Sequence, residues 1–165
     1  MLAMDRTRTQ RNSRGFTLVE VLVSLAVLGI LLAAGVPAMT GMSEQNRMKD
    51  LIFKLSDDMQ TARSQAITSN VNRILAVTSG ATWSYSCATC APAVAASSAD
   101  YSGITLTATN APLTFSTTGN AAGATAGTAS IFTLQSSSWT VTATVTPIGK
   151  VHVCANATGL GYPAC

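Results

Sequence analysis

Residues 16–39 form an apolar run interrupted by a single formal charge, Glu20. As a helix this run rises about 36 Å, enough to cross a hydrocarbon core of roughly 30 Å. No other feature of the chain constrains its folding as strongly, because a segment this apolar must bury itself in lipid or against like helices. The residues before it are basic, with Arg6, Arg8, Arg11 and Arg14 set against Asp5. A secretory peptide has a shorter apolar region followed by a small-residue cleavage site. Here the small residue precedes the run. A cut between Gly15 and Phe16 would remove the basic arm and leave the apolar helix as the new N-terminus.

That cut would give Glu20 a role. Phe16 would become the first residue and Glu20 the fifth, an i, i+4 pair at the helix start, where the macrodipole favours a negative charge. A lone carboxylate costs about 2.5–3.5 kcal/mol at mid-bilayer on insertion scales. The amino-terminus of a neighbouring copy could neutralise it, so the penalty becomes a reason for subunits to associate. The plainer alternative is a shallow Glu20 that snorkels to the headgroups.

The stretch Arg14-Gly15-Phe16-Thr17-Leu18-Val19-Glu20 resembles the signature of type IV prepilins. The resemblance implies cleavage after Gly15 by a prepilin peptidase, N-methylation of Phe16 and an assembly role for Glu20. Gly29 and Pro37 stand where many pilins carry helix-softening residues. Glycine lowers helix stability and proline removes one backbone bond, and both would ease local melting when the helix leaves lipid for a filament. The plain reading of Pro37 is a membrane boundary.

Beyond residue 39 the pattern turns amphipathic. Met48, Leu51, Ile52, Leu55, Met59, Ala62 and Ala66 recur at spacings of three and four, which predicts a helical face packed on a sheet. Arg47, Lys49, Asp50, Lys54, Asp57, Asp58 and Arg63 are expected on the other faces. The helix should end near Thr68, with Ser69 and Asn70 at its close, giving a rod of roughly 80 Å from residue 16. From residue 71 the period moves toward two. Strands are expected at residues 73–78, 82–86, 104–108, 113–116, 130–135, 139–145 and 150–154. In residues 139–145, Trp139, Val141, Ala143 and Val145 share one face. Thr146-Pro147-Ile148-Gly149 reads as a turn that returns Val151 and Val153 to the buried side. Residues 91–99 and 119–127 are small-residue stretches expected to be mobile loops.

The fold class expected is therefore α+β and pilin-like: a long N-terminal helix, its first half transmembrane, whose second half packs on an antiparallel sheet. Four segments follow: a cleaved leader (1–15), the apolar helix (16–39), an amphipathic continuation (40–70) and a periplasmic or extracellular β-rich domain (71–165).

Only 10% of the 165 residues are charged. The formal charge of +3 resides in the leader, since acidic and basic side chains cancel from Phe16 onward. The net charge is thus no sign of a nucleic-acid surface. The 4 cysteines, Cys87, Cys90, Cys154 and Cys165, follow a membrane-targeting segment, which favours disulfides. Of the three pairings open to them, Cys87–Cys90 with Cys154–Cys165 is expected because each pair is close in the chain. A zinc site would show two close pairs or added histidines, and a thioredoxin-like motif would start a helix, whereas Cys90 runs into Ala91-Pro92. No metal or other cofactor is expected. No catalytic residues stand out: His152 is the only histidine, and no nucleophile with a base is apparent. Asn156-Ala157-Thr158 has the form of a glycosylation sequon, a common coincidence.

Ala62-Arg63-Ser64-Gln65-Ala66-Ile67 looks like the helix end of the FimT/FimU and GspH-like branch of minor pilins and pseudopilins. Gly149-Lys150-Val151-His152 sits where that branch tends to carry Gly-Arg-x-Arg, linked in some members to DNA capture. Strand alternation turns Lys150 and His152 the same way, as candidate DNA contacts. Lysine lacks the bidentate fork of arginine and a histidine is no reliable cation at neutral pH, so the counterion-release term is small. The function implied is a non-enzymatic minor pilin that joins or primes pilus assembly at the tip. Alternatives are a type II secretion pseudopilin, a DNA-binding pilin for uptake, and a plain single-pass membrane protein. The partners implied are a prepilin peptidase, other major and minor pilins or pseudopilins, and inner-membrane lipid. The expected location is the inner membrane, then a pilus or a periplasmic pseudopilus.

Overall fold

The structure, a computed structural model, describes residues 15–156 and 159–165, and of residues 34–40 the backbone only. The basic leader through Arg14, the side chains of Pro37 and Met39, and Ala157 and Thr158 of the sequon lie outside the described residues. The chain divides into two compact units, Met1–Thr40 and Gly41–Cys165. Helix α1 (Leu18–Ser69) begins in the first and ends in the second.

In the first unit the side chains of residues 18–33 are exposed. Among the described residues no helix is long and apolar enough to cross a membrane. The run expected to cross the membrane, residues 16–39, is described with its side chains only as far as residue 33. Residues 18–33 supply about 24 Å of helix, short of the roughly 30 Å required, and the remainder of the run falls in residues 34–40.

In the second unit the apolar stripe of α1 is the spine of the core. Met48, Leu51, Ile52, Leu55, Met59, Ala62 and Ala66 are fully buried. Each large member contributes about 1.5–3 kcal/mol by leaving water. The two alanines let the helix approach the strands closely. The helix closes at Ser69, and Asn70 follows with φ 53°. This left-handed C′ position suits asparagine, whose short polar side chain tolerates the conformation.

Among the described residues nine strands follow, and all their pairings are antiparallel. β1 (Arg73–Thr78), β2 (Ser84–Cys87), β3 (Val94–Ser97), β5 (Leu113–Phe115) and β6 (Ala121–Ala122) form a five-stranded sheet ordered β3-β2-β1-β5-β6. β4 (Thr105–Thr109), β7 (Ser130–Gln135), β8 (Thr140–Val145) and β9 (Val151–Ala155) form a four-stranded sheet ordered β4-β7-β8-β9. β1 serves two neighbours, pairing Leu75 with Leu113 of β5 and Ala76 with Ser86 of β2. Leu106, Phe132, Leu134, Val141, Ala143 and Val145 turn inward at every second residue. Trp139 precedes β8, half-buried against this core. Trp83 is buried, and its indole N–H donates to the carbonyl of Ile104 at 2.7 Å, which satisfies a donor that burial would otherwise strand.

Two expected loops are corrected. Residues 91–99 contain β3, with Val94 and Ala96 buried. Residues 119–127 contain β6, with Ala121 buried, and they are pinned by Asn110, whose amide donates to the carbonyls of Thr125 (3.1 Å) and Thr128 (3.0 Å). Both stretches are built from small residues, so packing and hydrogen bonding hold what size and branching could not signal.

Candidate functional site

Gly15, Phe16 and Thr17 precede the helix, in no regular structure. Thr17 is its N-cap. The Thr17 hydroxyl oxygen accepts from the Glu20 backbone N–H at 3.2 Å, and the Thr17 carbonyl accepts from Val21 N–H at 3.2 Å. Phe16 is 83% exposed, and Gly15 and Glu20 are exposed too. Phe16, Glu20, Ser24 and Leu28, spaced by four, line with Val21 and Leu25 a groove of about 320 Å³ on the helix surface. The Thr17-x-x-Glu20 spacing of a capping box was legible in the sequence, yet sequence reasoning assigned Thr17 no role. A Cβ at Gly29 would meet nothing within 4 Å, so close packing within the chain does not explain that glycine.

The two branch-like motifs in the second unit meet at Arg63. Its Nε donates to the Gly119 carbonyl at 2.8 Å and its Nη2 to the Ile148 carbonyl at 3.3 Å. One guanidinium thus ties the β5–β6 turn and the β8–β9 turn to α1, using the planar fork that lysine lacks. Gly149 follows at φ 75° and closes the expected turn, where Thr146 N–H donates to the Lys150 carbonyl at 2.9 Å. Sequence reasoning placed Arg63 among the outward charges. Its partners are backbone carbonyls, which periodicity cannot reveal.

Asp58 is a second correction. It is buried rather than outward, with the Tyr85 hydroxyl donating to it at 2.8 Å and Lys54 paired at 3.1 Å. It continues the three- and four-residue spacing from Leu51 and Leu55 to Ala62, which placed it on the core edge. Asp50, one turn before Lys54, accepts from the Tyr101 hydroxyl at 2.8 Å. Burial, then the hydrogen bond to Asp58, raises the Tyr85 phenol above its ordinary range. Burial, then the hydrogen bond to Asp50, raises Tyr101 to about 12. Both phenols are neutral when protonated, so their contribution is fully present below the unfolded value of 10.0 and is lost as pH rises toward 12. Urea midpoints should accordingly fall as pH rises from 10.0 toward about 12, the window that the Tyr101 shift sets. Tyr101→Phe should flatten part of that fall, and a slope unchanged by this substitution would contradict the assignment.

Cys87 joins Cys90 and Cys154 joins Cys165. The second bond holds the C-terminal residues beside β9, where Ala155 N–H donates to the Pro163 carbonyl at 2.9 Å. Lys150 and His152 are both exposed, with His152 opposite Thr144 of β8, while Val151 and Val153 are half-buried. Among the described residues no group of His, Cys, Asp or Glu could hold a metal ion.

A capped helix start carrying this N-terminal motif, in a chain whose later helix turns underlie antiparallel sheets, defines the type IV minor pilins and pseudopilins of the FimT and GspH kind. Residues 10–36 match the prokaryotic N-terminal methylation motif. Residues 54–149, more than half of the chain, match the family of type II transport protein GspH, and the chain belongs to that family. Members of such families are structural subunits. Comparison with curated proteins and with solved structures gives no match.

Proposed function

We propose that the chain is a minor type IV pilin, a non-enzymatic subunit that a prepilin peptidase cuts between Gly15 and Phe16 and that then joins or primes a pilus at its tip. The observation that carries this reading is the methylation motif over residues 10–36, coinciding with an exposed Gly15-Phe16 junction just outside α1. The leader, residues 1–15, is removed and Phe16 is N-methylated. Residues 16–39 enter the inner membrane as a single pass, with Gly29 and Pro37 softening the helix for its transfer into the filament. Residues 40–70 continue into a periplasmic domain completed by residues 71–165. Glu20 pairs with the amino-terminus of an adjacent subunit, so major and minor pilins, the peptidase and inner-membrane lipid are its partners.

Mass spectrometry of the native protein tests the reading: it should begin at N-methylated Phe16, and a chain beginning at Met1 would overturn it. Glu20→Val should leave membrane insertion intact and reduce incorporation beside other subunits severalfold, because an anion costing about 2.5–3.5 kcal/mol in lipid is no longer there to recruit a cation. Co-purification with filaments measures it, and normal incorporation would remove the charge-pairing account.

A second reading, a pseudopilin of a type II secretion machine, is favoured by the family that residues 54–149 match. Deletion of the gene followed by separate assays of piliation and of protein secretion distinguishes the two. DNA uptake is the weaker alternative, since Lys150 and His152 offer one reliable cation between them.

A further inference from the structure

We propose that the Thr17 hydroxyl is a positioning residue for the cut at Gly15-Phe16, an inference that rests on the processing reading above. In an unbroken α-helix each backbone N–H bonds to the carbonyl four residues earlier. The Glu20 N–H would then take the Phe16 carbonyl, and the Val19 N–H would take the Gly15 carbonyl, the one attacked in the cut. The Thr17 side chain prevents the first of these. Its hydroxyl oxygen lies 3.2 Å from Glu20 N and takes that proton, and α1 starts at Leu18 with Phe16 outside it.

The consequence is chemical. Hydrolysis adds water across the Gly15 C–Phe16 N bond: the water oxygen goes to the Gly15 carbonyl, which becomes a carboxyl group, and a proton goes to the Phe16 nitrogen, which becomes the new amine. Attack needs that carbonyl open and its peptide free of the helical ladder. In a bilayer the pressure runs the other way, because an unpaired N–H near hydrocarbon costs several kcal/mol and favours adding a further helical turn upstream. The Thr17 hydroxyl supplies the missing acceptor at the one N–H whose pairing would draw Phe16 into the helix. The boundary is thereby fixed two residues beyond the scissile bond. Gly15 adds no obstruction, since even a Cβ there would meet nothing within 4 Å.

The test uses the full-length chain in proteoliposomes with a prepilin peptidase, following the initial rate of leader release by mass spectrometry. Thr17→Val keeps the shape and removes the capping oxygen. It should slow the cut by about fivefold, the usual size of an N-cap deletion. The Phe16 carbonyl ¹³C shift should move toward its helical value at the same time. Thr17→Ser and Thr17→Asn both retain a capping oxygen, in side chains of different shape, and should cut within about twofold of the unaltered chain. Cutting of Thr17→Val at the unaltered rate would overturn the proposal. So would a Thr17→Asn chain as slow as Thr17→Val, because the peptidase would then be reading the threonine shape rather than the helix boundary. An unaltered chain that is not cut at all removes the processing reading itself, and this inference with it.

Discussion

Gly149→Val is expected to destabilise the second unit by about 4 kcal/mol, a sum of strain and overpacking. At φ 75° a β-branched residue is a backbone outlier. A Cβ there would also overlap the Gly119 carbonyl oxygen and sit 2.6 Å from Arg63 Nε. The displaced groups are the ones that hold the two turns to α1, so the damage spreads beyond the turn. Gly127→Ala is the internal control. Gly127 has nearly the same φ, 76°, but a Cβ there meets nothing within 4 Å, so only the backbone cost of about 1 kcal/mol remains. Urea unfolding of the chain in detergent, read at Trp83 and Trp139, measures both. Equal losses for the two substitutions would mean that the close approach to Arg63 is unimportant. Arg63→Lys should behave like Arg63→Ala, each costing about 1–2 kcal/mol, because an ammonium cannot reach two carbonyls in a fixed fork.

The second large effect is expected at the buried acid. Asp58→Ala should cost about 3 kcal/mol, since it leaves the Tyr85 hydroxyl buried without its acceptor and opens a small void. Tyr85→Phe alone should cost about 2 kcal/mol by removing a hydrogen bond to a charged group. The double substitution Asp58→Leu with Tyr85→Phe should recover most of either loss, because apolar groups of similar shape need no partners. Losses that add across Asp58→Leu, Tyr85→Phe and their combination would show that the two side chains are not coupled.

Periodicity exposed the framework of this fold and concealed the devices that tighten it. Burial of Met48 through Ala66 on one face follows directly from their three- and four-residue spacing. The alternation in β7 and β8 likewise announces Phe132, Leu134, Val141 and Ala143. Asp58 was misread because polarity outweighed position, although its spacing is that of the stripe. β3 and β6 escaped notice because alanine and serine carry little strand signal and their order comes from neighbours distant in sequence. Arg63 was unreadable for a different reason. Its partners lie 56 and 85 residues away and are carbonyls, present at every position in the chain. At the N-terminus the Gly15-Phe16 junction and Glu20 stood out by motif, while Thr17 became meaningful only once its oxygen was seen against the Glu20 N–H.

The pairing of β9 has a last consequence. Ala155 turns its N–H away from β8 toward Pro163, so alternation turns the N–H groups and carbonyls of Val151 and Val153 outward as well. β9 is the terminal strand of its sheet, and those groups are a ready template for another chain. Lys150 and His152 flank them on the solvent face. A lysine beside an open edge is one of the devices by which sheet proteins discourage indiscriminate strand addition, and that consequence of the fold needs no nucleic acid.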